Sequence, residues 1–92
     1  MTSNEKVFRM LKALANENRL RIIQVLMTSQ QPIHIEGLSR ILEKDYSAVY
    51  RDVEALEKVG IVGIYIVGRS RVPYIKKKDE LGKLFDFINS LI

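Results

Sequence analysis

The chain has no cysteine and no tryptophan, and its 92 residues include one histidine and two prolines. Without cysteine there can be no disulfide, thiolate metal ligand or thiol nucleophile, and a lone histidine leaves little from which to build a transition-metal site. No apolar run approaches the roughly 20 residues that a membrane-spanning helix needs. The opening stretch, Met1 to Lys6, lacks the basic start and continuous apolar run of an export signal, so the cytoplasm is the expected location. Nothing points to an enzyme: there is no Ser-His-Asp arrangement and no glycine loop of the kind that cradles phosphates. Repeats, linkers and low-complexity tracts are also missing, and residues 1–92 read as a single domain.

At 47% hydrophobic and 28% charged, the composition is that of an ordinary soluble globule. The formal net charge of +4 favours polyanionic partners. Its distribution is uneven. Residues 1–29 carry five basic and two acidic side chains, residues 30–60 four and six, and residues 61–92 six and three. A domain this short buries a small core, so a second subunit would add to its stability.

Thr2 and Glu5 read as a capping box opening a helix with Val7, Met10, Leu11 and Leu14 on one face. Asn16 is the expected N-cap of a second helix, in which Leu20, Ile22, Ile23, Leu26 and Met27 form an apolar face wide enough for a central position. Gln30-Gln31-Pro32 ends it. Ile33-His34-Ile35 alternates like a short strand that would pair with a later hairpin. A third helix follows with Leu38, Ile41 and Leu42 inward and the small Ser39 where another helix crosses, and Glu43-Lys44-Asp45 forms a turn. A fourth helix runs from about Tyr46 to Val59, capped by Gly60. Two β-rich stretches, Ile61–Val67 and Val72–Lys76, flank a turn at Gly68-Arg69-Ser70-Arg71, with Pro73 tolerated on an edge. A last helix from about Asp79 spaces Leu81, Leu84, Phe85, Ile88, Leu91 and Ile92 by threes and fours.

The order helix, helix, strand, helix, helix, strand, strand, helix is mainly α with a small β-hairpin. It is the plan of a winged helix-turn-helix, which places one helix in the DNA major groove and a wing along the backbone. The fourth helix has a defined orientation: at 3.6 residues per turn, Val49, Val53 and Leu56 fall together and must face the core. Ser47, Arg51, Glu54 and Lys58 then point outward, with Ala48 and Tyr50 on the flanks.

Two segments carry a resemblance. Leu11-Lys12-Ala13-Leu14-Ala15-Asn16-Glu17-Asn18-Arg19-Leu20-Arg21-Ile22-Ile23 is similar to the opening signature of ArsR-type winged-helix transcriptional repressors. Tyr46-Ser47-Ala48-Val49-Tyr50-Arg51-Asp52-Val53, continuing through Leu56-Glu57-Lys58-Val59-Gly60-Ile61-Val62, resembles that family's recognition helix and its exit into the wing. The resemblance implies a homodimer, joined through its first and last helices, that binds a pseudo-palindromic operator in double-stranded DNA and represses transcription. It implies DNA contacts at Ser47, Ala48, Tyr50 and Arg51 and at the wing-tip Arg69 and Arg71. The sequence departs from the family in two places. The metal-binding cysteine motif of many members is absent, so no metal or other cofactor is expected, and Glu43 stands in the turn where related motifs often have glycine.

Each of these residues also has a plainer reading. Arg51 can bond guanine or clamp a phosphate, or can be solvated or acid-paired. Tyr50 can contact DNA or pack against a neighbouring helix, and Ser47 can cap the helix as well as present backbone N–H groups to a phosphate. Arg69, Ser70 and Arg71 form either a DNA-contacting wing tip or a solvated one, and Lys76-Lys77-Lys78 either touches DNA or is a solvated linker. Glu54 can accept from cytosine or repel phosphate. Val7, Phe8, Leu11, Leu81, Leu84, Phe85, Ile88 and Leu91 are the expected dimer interface, with Phe8 and Phe87 off the main apolar faces. His34, the lone histidine, reads as a surface or strand residue. Two further functions stay open: a winged helix that docks another protein of a transcription or replication assembly, to which the net-acidic middle third points, and nonspecific architectural DNA binding.

Overall fold

The computed structural model describes residues 2–92, with side chains from Asn4 onward. The elements run α1 (Thr2–Leu14), α2 (Glu17–Thr28), α3 (Ile35–Leu42), α4 (Tyr46–Lys58), β1 (Val62–Val67), β2 (Ser70–Ile75) and α5 (Lys78–Leu91). The cap expected at Thr2 falls outside the described side chains.

A core forms because every element contributes apolar side chains to it. Leu14 enters from α1, Ile22, Ile23 and Leu26 from α2, Ile35, Leu38 and Leu42 from α3, and Val49, Val53 and Leu56 from α4, joined by Ile61, Val62 and Leu81. Helix α2 is central, as its wide apolar face requires. Asn16 caps it as expected: held in extended geometry, its Oδ1 accepts the Arg19 N–H at 3.0 Å.

The strand expected at Ile33–Ile35 does not form, and the hairpin is the only sheet among the described residues. Ile33 and Ile35 do turn inward while His34 stays exposed. The His34 carbonyl, however, accepts the Leu38 N–H at 2.9 Å and so opens α3 instead of joining a ladder. Ile41 is also displaced from its expected place. Ile35, Leu38 and Leu42 define the inner face of α3, and Ile41, beyond its edge, is 53% exposed.

Helices α3 and α4 end in the same way. At α4, the Gly60 N–H bonds to the Glu57 carbonyl and the Ile61 N–H to the Leu56 carbonyl, both at 3.0 Å, and Gly60 takes φ +85°. At α3, the Lys44 N–H reaches the Ser39 carbonyl at 3.0 Å, and the left-handed residue is Glu43, φ 54° and ψ 47°. It is the one non-glycine residue with positive φ among those described. The turn after α3 therefore closes without glycine, at the steric cost of a side chain in the left-handed region.

Ser47 does not cap α4. Asp45 occupies that position, without a side-chain cap bond, and Ser47 lies inside the helix, exposed. The turn of the hairpin is tighter than expected. Val67 pairs with Ser70, so the loop is Gly68-Arg69 alone, and Ser70 and Arg71 belong to β2. Gly68, φ +62°, takes the first central position, the pattern of a type II′ turn. Pairing alternates from that closing pair, and the Lys76 N–H meets the Ile61 carbonyl at 3.0 Å. Pro73, opposite Ile64, thus falls at a non-hydrogen-bonded position and costs the ladder nothing.

Replacing Glu43 by glycine is expected to raise the unfolding free energy by about 0.5–1 kcal/mol, and replacing it by valine to lower it by about 1 kcal/mol. Urea denaturation followed by circular dichroism measures both.

Candidate nucleic-acid interface

Burial of Val49, Val53 and Leu56 orients α4 and leaves Ser47 and Arg51 exposed, with Ala48, Tyr50 and Glu54 half-buried along the flanks. Among the described residues the ion pairs are Arg9–Glu5 and Arg19–Asp52, so Arg51 has no carboxylate partner. Its guanidinium is free to bind a ligand. Glu57 and Lys58 are exposed further along the helix.

Tyr50 is half-buried on the flank of α4. It packs against the edge of the core, and the Arg71 guanidinium of β2 lies over its ring, 5.1 Å from the centroid. The wing is thereby docked on α4. On the other side the Tyr46 ring stands 6.0 Å from that of Tyr50, tilted by 52°. Tyr46, exposed in the first turn of α4, was not among the expected site residues, although its i, i+4 spacing from Tyr50 was the available signal. Arg69 is exposed at the tip of the turn, while Ser70 is half-buried beside it.

The orientation of α4 has a second anchor that the sequence did not suggest. Arg19 Nε donates to Asp52 Oδ1 at 3.1 Å, with the side chains 24% and 20% exposed, and Arg19 Nη1 reaches the Ala13 carbonyl at 3.4 Å. One guanidinium thus joins the end of α1, the start of α2 and the middle of α4. The partners lie 33 residues apart, beyond the reach of any helical spacing rule.

Lys76, Lys77 and Lys78 are exposed: Lys76 and Lys77 form the solvated connection from β2, and Lys78 opens α5. Val7, Phe8 and Leu11 stand exposed on α1, as do Phe87, Ile88 and Leu91 on α5. Leu84 and Phe85 are half-buried against the core. Leu81, expected at the interface between subunits, is instead buried in the protein's own core, because α5 packs through its first turn. Among the described residues no three His, Asp or Glu side chains converge as a metal site would require, and no helix is long and apolar enough to cross a membrane.

Two helices in helix-turn-helix order, a wing docked on the second and flanking helices at both ends define a winged helix-turn-helix protein. The chain belongs to the HVO_A0114 family, whose model matches residues 14–79. Solved structures share the fold. The homodimeric winged helix-turn-helix DNA-binding domain of Mb0332 from Mycobacterium bovis, a possible ArsR-family transcriptional regulator, superposes with a TM-score of 0.83 at 23% identity, over 98% of this chain and 81% of that one. NolR from Sinorhizobium fredii gives 0.81 at 18% identity, covering 98% and 87%. An ArsR-like transcriptional regulator from Rhodococcus sp. RHA1 gives 0.74 at 21% identity, covering 99% and 83%. The chain therefore shares the winged helix-turn-helix fold of these proteins. No curated protein matches the chain in sequence.

Replacing Asp52 by alanine is expected to cost about 1–2 kcal/mol of stability, and a double-mutant cycle with Arg19→Ala to return a coupling near 1 kcal/mol. A coupling close to zero would mean that the pair does not brace α4.

Proposed function

We propose that this protein is a sequence-specific, double-stranded-DNA-binding transcriptional regulator that acts as a homodimer on a pseudo-palindromic operator and represses by occupying promoter DNA. The reading rests above all on Arg51: an unpaired guanidinium projects from the outward face of a helix whose opposite face is locked into the core. In the complex, Arg51 reads guanine O6 and N7 or clamps a phosphate, while Ser47, Ala48, Tyr50 and Glu54 line the same groove. Arg69, Ser70 and Arg71 follow the sugar-phosphate backbone. Arg71 does so while braced on Tyr50, so that helix and wing engage the duplex as one surface.

Dimerisation joins α1 and α5 of two copies. Val7, Phe8 and Leu11 on α1 and Phe87, Ile88 and Leu91 on α5 are large apolar side chains left 40–71% exposed, a surface that a second subunit would cover. Leu84 and Phe85 extend that surface inward, and the α5 stripe continues into a groove of about 540 Å³ against α2, lined by Leu20, Ile23, Met27, Phe85 and Ile88. The homodimeric state of Mb0332 supports the assignment. Two recognition helices held one DNA turn apart also multiply the modest selectivity of one.

Selection from a pool of randomised duplex DNA tests the reading. The expected product is an inverted repeat with half-sites about 10 base pairs apart. Retention without a motif would indicate architectural binding, and no retention would favour docking on another protein. On the selected duplex, Arg51→Ala should weaken binding about tenfold or more. Phe8→Glu should shift the protein toward monomer in sedimentation experiments without unfolding it, because Phe8 is exposed within the subunit.

A further inference from the structure

The wing bears an apolar side chain that the arginine-based account of DNA binding leaves unused. Ile66 pairs with Arg71 across the hairpin, and the alternation set by the Val67–Ser70 closing pair makes theirs a non-hydrogen-bonded pair. In such a pair the two side chains rise from the same face, with Cα atoms only about 4.5 Å apart. Arg71 lies over Tyr50, so that face of the wing is the one turned toward α4. Ile66 shares it and remains 65% exposed. Val67, 53% exposed, pairs with Ser70 on the opposite face.

Charge identifies what would cover Ile66. From Ile61 to Lys78 the chain carries five basic residues, Arg69, Arg71, Lys76, Lys77 and Lys78, and no acidic one. An exposed apolar side chain paired with Arg71, near Arg69 and on a hairpin that carries no acidic residue, matches a polyanion with apolar walls. Duplex DNA has that character, with phosphates along its edges and deoxyribose faces lining the groove between them.

We propose that Ile66 is a DNA contact, packing its side chain against the deoxyribose wall of the groove that the wing follows and supplying affinity that does not depend on salt. The proposal rests on the DNA-binding reading above. Because neutralising phosphates releases counterions, arginine contacts make binding fall with salt, whereas burying an isoleucine adds a term that added salt leaves in place.

The test uses the full chain, the duplex enriched by the wild-type protein and fluorescence anisotropy at several salt concentrations. Ile66→Thr keeps β-branching and so protects the strand while removing apolar surface; Ile66→Val removes one methylene; Val67→Thr is the control on the other face. Ile66→Thr should weaken binding about fivefold with the salt slope unchanged, Ile66→Val should fall between it and wild type, and Val67→Thr should stay within about twofold of wild type. Arg71→Ala, by contrast, should flatten the slope by about one. If Ile66→Thr binds like wild type while Arg51→Ala weakens binding, the Ile66 contact is refuted and the DNA reading stands. Equal losses for Ile66→Thr and Val67→Thr would also refute it, pointing to a general effect on the wing. If the wild-type protein enriches no duplex, both readings fall together.

Discussion

Val49, Val53 and Leu56 recur on one stripe of α4 and are withdrawn almost completely from water, at 2%, 0% and 0% exposure. Each contributes roughly 1.5–3 kcal/mol of apolar burial, so rolling the helix by even one residue would cost more than a typical surface contact returns. The direction of every outward side chain follows from that constraint. Arg51 is exposed because the positions two before and two after it are not. The Arg19–Asp52 bridge reinforces the setting from the flank, tying the middle of α4 to the junction of α1 and α2.

The wing depends on the same helix. Its two-residue turn keeps β1 and β2 paired to the tip, which leaves no slack loop to move independently. Arg71 on Tyr50 then fixes the hairpin relative to α4. On the proposed reading, the surface that meets DNA is largely formed in advance, so little binding energy is spent on ordering side chains and loops.

Much of this was legible in the sequence, and the misses have identifiable causes. Long periodic segments identified all five helices, and Asn16 and Gly60 marked a start and a stop through local chemistry that the structure bears out. Ile33-His34-Ile35 misled because in-out-in alternation over three residues is shared by a strand and by the extended lead into a helix. Ser47 was read as a cap because the better-placed Asp45 was assigned to the turn. Leu81 belongs to the same apolar stripe as Ile88 and Leu91, and only packing of the first turn of α5 separates a core residue from exposed ones. The Arg19–Asp52 and Arg71–Tyr50 contacts join residues far apart in sequence, which no local pattern encodes.

The central claim is that the outward face of α4 and the inner face of the wing form one DNA-binding surface. Chemical-shift mapping of the isotope-labelled protein, titrated with its selected duplex, tests it most directly. The account predicts that perturbed amides cluster at residues 46–54 and 66–71, while those of α1 and of the second half of α5 stay unmoved. Perturbations centred on α3 or on the terminal helices, with α4 and the wing silent, would contradict it.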